Sequence, residues 1–183
     1  LKVPVGIVCA AWSGTPAEAW TPKAVLQNDD SLHFYLQRWR EIPQKVGTDS
    51  VKFQLALANW EKNKNSSWGA GRRPDEPRTY YYYQKPWCEP AVLFNGMINP
   101  VIPYTVKGIL WYQGESNVSE ADNYEHLFTA LIGSWRERWR GDGGQDQLPF
   151  YFVQIAPFDY SSLDAAARLR EAQYNVMRKT DRT

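Results

Sequence analysis

The stretch Val106 to Asn117, V-K-G-I-L-W-Y-Q-G-E-S-N, constrains the fold of this chain more than any other. Gly108 to Tyr112 is a short apolar run rich in β-branched and aromatic residues, the length and composition of a strand buried on both faces. Gln113, Gly114, Glu115, Ser116 and Asn117 then turn abruptly polar. In a parallel α/β sheet ligands bind at the carboxyl ends of strands. Two amides, a glycine, a carboxylate and a hydroxyl arriving together at such an end have the make-up of a site. The same residues also suit a plain strand-to-helix turn, with Ser116, Asn117 or Ser119 as the helix cap. Spacing alone does not separate the two.

The rest of the chain supports an α/β reading. Val3 to Ala11 (V-P-V-G-I-V-C-A-A) reads as a buried strand, broken by Trp12-Ser13-Gly14-Thr15-Pro16. Glycine at a strand end lets backbone N–H groups come close to a ligand, although an ordinary turn needs the same residues. Ala17 to Trp20 suits one helical turn, closed by Thr21-Pro22. Ser31 to Lys45 and Ser50 to Lys64 carry apolar residues at helical spacing, and Ile42-Pro43 should break them apart into an α-hairpin. Asn65 to Pro90, with its tyrosine tract at 80–83, reads as a long irregular loop. Residues 23–90 are therefore expected to be an insertion within a single domain. Ala91 to Met97 is short and apolar. Asp122 to Arg140 is the strongest helix, with Tyr124, Leu127, Phe128, Leu131, Ile132 and Trp135 as its stripe and arginines at its end. Gly141 to Gly144 should stop it. Leu148 to Ala156 reads as a third buried strand. Leu163 to Lys179 reads as a helix burying Leu169, Ala172, Tyr174, Val176 and Met177. Strand, helix, strand, helix is the logic of a parallel sheet with crossovers.

Length and charge narrow the class. A chain of 183 residues buries roughly 70% of its unfolded surface and needs no staples. A net charge of +1 marks no nucleic-acid partner, and no apolar run approaches the ~20 residues of a membrane span. No signal peptide or lipid anchor is visible, and the opening Leu1-Lys2-Val3-Pro4 leaves room for an upstream segment. Cys9, in an apolar run, is expected to be a small core residue. Cys88 follows Pro86-Trp87 in a loop, and a disulfide between the two has little support. His33 and His126 lack the Cys or His partners of a metal site. His126 falls off the apolar stripe of its helix, as a solvated residue does. The nine Trp, eleven Tyr and seven Phe suit sugar faces, but by number they are core residues first.

Three blocks carry a resemblance. Trp12-Ser13-Gly14-Thr15-Pro16-Ala17-Glu18-Ala19-Trp20, Leu93-Phe94-Asn95-Gly96-Met97-Ile98-Asn99-Pro100 and Lys107 to Asn117 resemble the sialate O-acetylesterases. Ser134-Trp135-Arg136, Pro149 to Pro157 and Leu169-Arg170-Glu171-Ala172-Gln173 are similar too. That family belongs to the SGNH (GDSL-like) hydrolases. The resemblance implies a flavodoxin-like three-layer α/β/α sandwich with a parallel sheet, of which 1–183 form part of the catalytic domain. It implies a serine esterase that hydrolyses O-acetyl esters on sugars without metal or cofactor, in a secreted, periplasmic or lysosomal setting. It implies that the backbone at Ser13 and Gly14 and the side-chain amide of Gln113 form the oxyanion hole, with Glu115 and Asn117 orienting the site beside Gly114. Fixed N–H donors on a tetrahedral oxyanion are worth roughly 3–4 kcal/mol each.

Two departures stand beside the resemblance. Many relatives carry glycine where Ser13 stands. The family's serine block and its Asp-x-x-His block do not occur here. Asp30 precedes His33 by three residues, but in the insertion and without the family's context. The chain thus reads as the oxyanion half of an esterase, with the nucleophile and the Asp/His pair supplied by other segments or a companion chain. The alternative is a non-catalytic sugar-binding or interaction module of the same fold. The sequons Asn65-Ser66-Ser67 and Asn117-Val118-Ser119 are short enough to occur by chance.

Overall fold

The computed structural model describes residues 3–64, 85–102, 104–140, 148–158, 160 and 164–181, with side chains for all of these except 42–52. The elements in chain order are a 3₁₀ turn (Ala17–Trp20), α1 (Lys23–Asn28), α2 (His33–Asn63), a 3₁₀ turn (Pro86–Cys88), a π turn (Phe94–Ile98) running into a 3₁₀ turn (Asn99–Val101), β1 (Ile109–Trp111), a 3₁₀ turn (Glu115–Glu120), α3 (Ala121–Arg140), β2 (Phe150–Phe152) and α4 (Ala165–Lys179).

β1 and β2 pair in parallel, with Ile109 opposite Phe150, Leu110 opposite Tyr151 and Trp111 opposite Phe152. The pleat sends alternate side chains to opposite faces. Trp111 and Phe150 are buried on the helix side, whereas Leu110 is 85% exposed and its partner Tyr151 also faces out. The expectation of strands buried on both faces therefore holds for one face only. That is the face on which the helices lie.

Trp111 is the hub of the core. Its ring stacks on Phe128 at 5.6 Å and meets Trp20 and Trp135 edge-on at 6.1 and 5.8 Å. The stripe expected on α3, Tyr124, Leu127, Phe128, Leu131, Ile132 and Trp135, is buried throughout. Each such side chain contributes roughly 1.5–3 kcal/mol by leaving water. α4 packs against α3 with Leu169, Ala172 and Val176. Tyr174 and Met177 instead face out, while Gln173 is fully buried. Polar pairs close the α3–α4 seam: Asn175 Nδ2 donates to Glu125 at 3.0 Å, and Lys179 and Arg168 pair with Glu125 and Asp122.

Three expectations need correction. α2 is one helix, not a hairpin: it continues through Pro43. Proline forfeits one backbone bond, but good helix formers such as Gln37, Arg38, Gln54, Leu55, Ala56 and Leu57 flank the site and carry the helix past it. The start of segment 23–90 is core, because Leu26, Leu32, Tyr35 and Leu36 are buried. Most of its loop, including the tyrosine tract, and Gly141 to Gly144 lie outside the described residues. Val3 to Ala11 forms no strand: Ile7 is 89% exposed, and Cys9 lies at the surface as a free thiol rather than in the core. An apolar strand needs a neighbour for its N–H and C=O groups and a layer over its side chains. Among the described residues no strand pairs with it.

Candidate active site

The two segments singled out in the sequence meet at the carboxyl end of β1. After Trp111 and Tyr112 the chain turns inward at Gln113 and reverses at Gly114, whose φ is 153°. A Cβ there would stand 2.6 Å from Ile155 Cγ2 and 2.7 Å from Leu169 Cδ2. Only glycine satisfies both that backbone and that gap. Gln173 of α4 stitches the strand ends together. Its Nε2 donates to the Gln113 carbonyl at 3.1 Å, and its Oε1 accepts from the Ile155 N–H at 3.0 Å.

The turn Trp12 to Thr15 lies alongside. Thr15 Oγ1 donates to the Trp12 carbonyl at 2.8 Å and accepts from Trp20 Nε1 at 2.9 Å. Gly14 has φ 69°, a left-handed conformation natural to glycine, and nothing stands within 4 Å of where a Cβ would point. Ser13 and Gly14 are exposed, and among the described residues no hydrogen bond engages either N–H. Successive free N–H groups in such a turn can receive an anion. Cys88 Sγ donates to the Gly14 carbonyl at 3.7 Å, and Trp87 packs on Trp12 with ring centroids 5.7 Å apart.

A buried polar network joins the two segments. Asn117 Oδ1 accepts from the Ala17 N–H at 2.8 Å, so Asn117 Nδ2 faces the Glu18 carboxylate, to which it donates at 2.9 Å. The Gln113 atom next to Asn117 Oδ1 must then be nitrogen. Gln113 Nε2 donates to that oxygen at 2.7 Å and to the Thr15 carbonyl at 3.1 Å. Gln113 Oε1 accepts from the Tyr124 hydroxyl at 3.0 Å. Unambiguous partners at each end thus fix both amide orientations. Burial pushes the Tyr124 phenol well up, so it stays a donor.

Glu18 is fully enclosed at the end of this network. Burial pushes its carboxyl above the usual range, while the Arg38 guanidinium, 2.9 Å away, and the Asn117 amide oppose that. Arg38 also pairs with Glu120 and lies over the Tyr35 ring at 5.4 Å.

Of the residues expected at the site, Ser13, Gly14, Gln113, Gly114 and Asn117 come together. The role expected of Gln113 is corrected. Its side chain is turned into the core with both amide hydrogens committed, so it has no N–H left for an oxyanion. Asn117 links the Gln113 loop to the Ala17–Trp20 turn. Glu115 is exposed, and no hydrogen bond among the described residues engages its carboxylate. Its charge, after burial, helps push the Tyr160 phenol up. His126 is not simply solvated: Nε2 pairs with Asp29 at 2.7 Å, tying α3 to the end of α1. No hydrogen bond among the described residues links Asp30 to His33. Among those residues no cluster of His, Cys, Asp and Glu could hold a metal.

Glu18, Arg38, Tyr124 and Gln173 are the residues that sequence reasoning missed. One signal existed for Glu18, a carboxylate set between Ala17 and Ala19 in a motif block.

A parallel strand pair with helices packed on it defines an α/β protein, a class in which ligands bind at the carboxyl edge of the sheet. Residues 83–182 match the family described as "Carbohydrate esterase, sialic acid-specific acetylesterase", and the chain belongs to that family. It is 32% identical over 165 residues to sialate O-acetylesterase of Rattus norvegicus, covering 86% of this chain and 27% of that protein. It is 30% identical over 160 residues to the Homo sapiens sialate O-acetylesterase, covering 85% of this chain and 23% of that one. A crystal structure of a carbohydrate acetylesterase from Xanthomonas citri superposes with a TM-score of 0.57 at 28% identity, over 96% of this chain and 29% of that chain. The chain thus spans about a quarter of the length of the curated relatives it matches.

Proposed function

We propose that this chain is the oxyanion-stabilising part of a carbohydrate O-acetylesterase. The reaction is hydrolysis of an acetyl ester on a sugar by a serine nucleophile with an Asp/His pair. Those three groups would come from other segments of the same protein or from a companion chain. The carrying observation is the Ser13–Gly14 turn. Among the described residues its two N–H groups make no hydrogen bond, while Thr15 and Ala17 just after them are tied to Gln113 and Asn117 at the carboxyl end of β1. Attack on the acetyl carbonyl puts negative charge on its oxygen. Rigid N–H donors aimed at that oxygen lower the barrier because they need no reorganisation. Gln113 and Asn117 hold the turn, Gly114 permits the close approach of β1 to α4, and the exposed Glu115 is an acceptor for a sugar hydroxyl.

The flavodoxin-like three-layer sandwich of the SGNH hydrolases is the architecture we infer for the whole domain. Its support is the bare face of β1 and β2, where Leu110, Tyr112, Tyr151 and Val153 are exposed. A parallel sheet carries helices on both faces, so a second helical layer from the same protein belongs there. Residues 1–183 are then part of one catalytic domain, and 39–84 are the part of segment 23–90 that suits an insertion. A secreted, periplasmic or lysosomal location follows the same reading. Among the described residues, no helix is long and apolar enough to cross a membrane.

Membership of an esterase family favours this reading over a non-catalytic sugar-binding module. The test is acetate release from O-acetylated sialic acid and from acetylated xylan fragments by the protein that carries this chain. Release from one of them supports the reading. Sugar binding with no acetate released from either supports the binding module.

A further inference from the structure

Glu18 is a poor choice for a residue whose only task is to fill space. It is a carboxylate in a fully enclosed position between two alanines, and a buried charge costs several kcal/mol unless it is paired. Here it is paired twice. Arg38 donates to Oε1 at 2.9 Å and Asn117 Nδ2 donates to Oε2 at 2.9 Å. The backbone of the same residue also serves: the Glu18 carbonyl accepts from the Ala91 N–H at 2.9 Å. Arg38 reaches in from α2, and its guanidinium is shared between Glu18 and Glu120. One cation thus clamps the Ala17–Trp20 turn, which follows Ser13–Gly14, to the 3₁₀ turn that carries Asn117.

We propose that Glu18 and Arg38 are positioning residues for the Ser13–Gly14 turn, acting through Asn117 and Gln113. The inference rests on the reading of that turn as the oxyanion donor. An Asn amide can sit either way round. The Ala17 N–H holds Oδ1 from one side, and the carboxylate at Oε2 holds Nδ2 from the other, which keeps Oδ1 placed for Gln113 Nε2 as well. With its oxygen end so fixed, Gln113 Nε2 reaches the Thr15 carbonyl and pins the turn. Arg38 opposes the burial that pushes the Glu18 carboxyl up, and it holds Oε1 in place. A neutral glutamine at position 18 could set its own N–H₂ against Asn117 Nδ2, two donors face to face, and so loosen the hold on Asn117. The turn would then lose its tether while the apolar core stayed intact.

The test compares wild type with Glu18→Gln, Arg38→Met and Arg38→Lys in the protein that carries this chain. It reads kcat and KM for p-nitrophenyl acetate, and hydrogen exchange at the Ala17 amide against the Leu127 to Ile132 amides of α3. Glu18→Gln and Arg38→Met should each lower kcat about tenfold or more with KM within about twofold, the pattern of a misplaced catalytic group. Ala17 should exchange about tenfold faster while α3 does not change. Arg38→Lys keeps the charge but not the fork, and should fall between Arg38→Met and wild type. Wild-type kcat and wild-type Ala17 exchange in Glu18→Gln overturn the proposal, as does faster exchange spread evenly over Ala17 and α3. If Glu18→Gln does not fold, the order of the two Arg38 variants decides. If wild type releases no acetate, the esterase reading fails separately, and Ala17 exchange alone decides whether Glu18 holds the turn.

Discussion

Gln113 Nε2 donates to Asn117 Oδ1 at 2.7 Å. The contact joins two amides from one loop, and its polarity is forced by the Glu18 carboxylate on one side and the Tyr124 hydroxyl on the other. It makes Gln113, expected from the sequence as an oxyanion donor, a support for the backbone turn at Ser13 and Gly14 instead.

Removing Gln113 should therefore disable the turn without touching substrate. Gln113→Ala removes the donor to the buried Thr15 carbonyl and leaves the Tyr124 hydroxyl only its 3.3 Å contact to the residue 113 carbonyl. Stability should fall by about 2–3 kcal/mol, and kcat by roughly 10²-fold. Urea denaturation and steady-state kinetics of the folded variant check the two parts. Unchanged turnover would release Gln113 from the mechanism.

Gly114→Ala should be severe for two independent reasons. The backbone sits at φ 153°, and the new methyl would meet Ile155 and Leu169 at 2.6 and 2.7 Å. Backbone strain and overpacking together cost about 3 kcal/mol or more. Gly14→Ala has open space and only the φ cost, about 1 kcal/mol. Thermal midpoints of the two variants should rank in that order.

Gln173→Leu tests the stitch between the strand ends. Leucine matches the volume but cannot receive the Ile155 N–H or reach the Gln113 carbonyl. A loss of about 2–4 kcal/mol follows from those groups left unpaired. Chemical denaturation would show it, and a change below about 0.5 kcal/mol would mean that water replaces the amide at no cost.

The stability of the fold should carry a signature of Glu18. Its carboxyl holds a proton more tightly in the folded state than in the unfolded chain, because burial outweighs Arg38 and Asn117. A raised carboxyl stabilises the fold fully below its unfolded value, and that contribution is lost as pH rises through the folded value. Glu18→Gln has no such titration. The stability gap, wild type minus variant, should be largest in acid and shrink with rising pH. A gap that widens with pH would place the folded carboxyl below its ordinary range.

The local pattern was legible where one physical rule dominated. The stripe on α3 follows from periodicity and the Trp111 strand from a short apolar run, and the meeting of the Trp12–Thr15 turn with Gln113 was legible from two motif blocks, although only the second follows a strand. What failed needed partners distant in sequence. Ile42-Pro43 looked like a break because a single proline was weighed without the helix formers around it. Val3 to Ala11 had the composition of a strand, but a strand exists only with a neighbour. Gln113 looked like a free donor because its acceptors, the Thr15 carbonyl and Asn117 Oδ1, are set by the fold and not by spacing. Glu18 and Arg38 stand 20 positions apart in segments read as unrelated.

The most direct measurement is the amide spectrum of the protein that carries this chain during titration with a methylphosphonate monoester, a tetrahedral anionic stand-in for the attacked acetyl group. The backbone N–H of Ser13 or Gly14 should shift downfield as it takes up the phosphonyl oxygen, while the Gln113 side-chain N–H₂ keeps its position. A shift at the Gln113 amide with none at Ser13 or Gly14 would contradict the account.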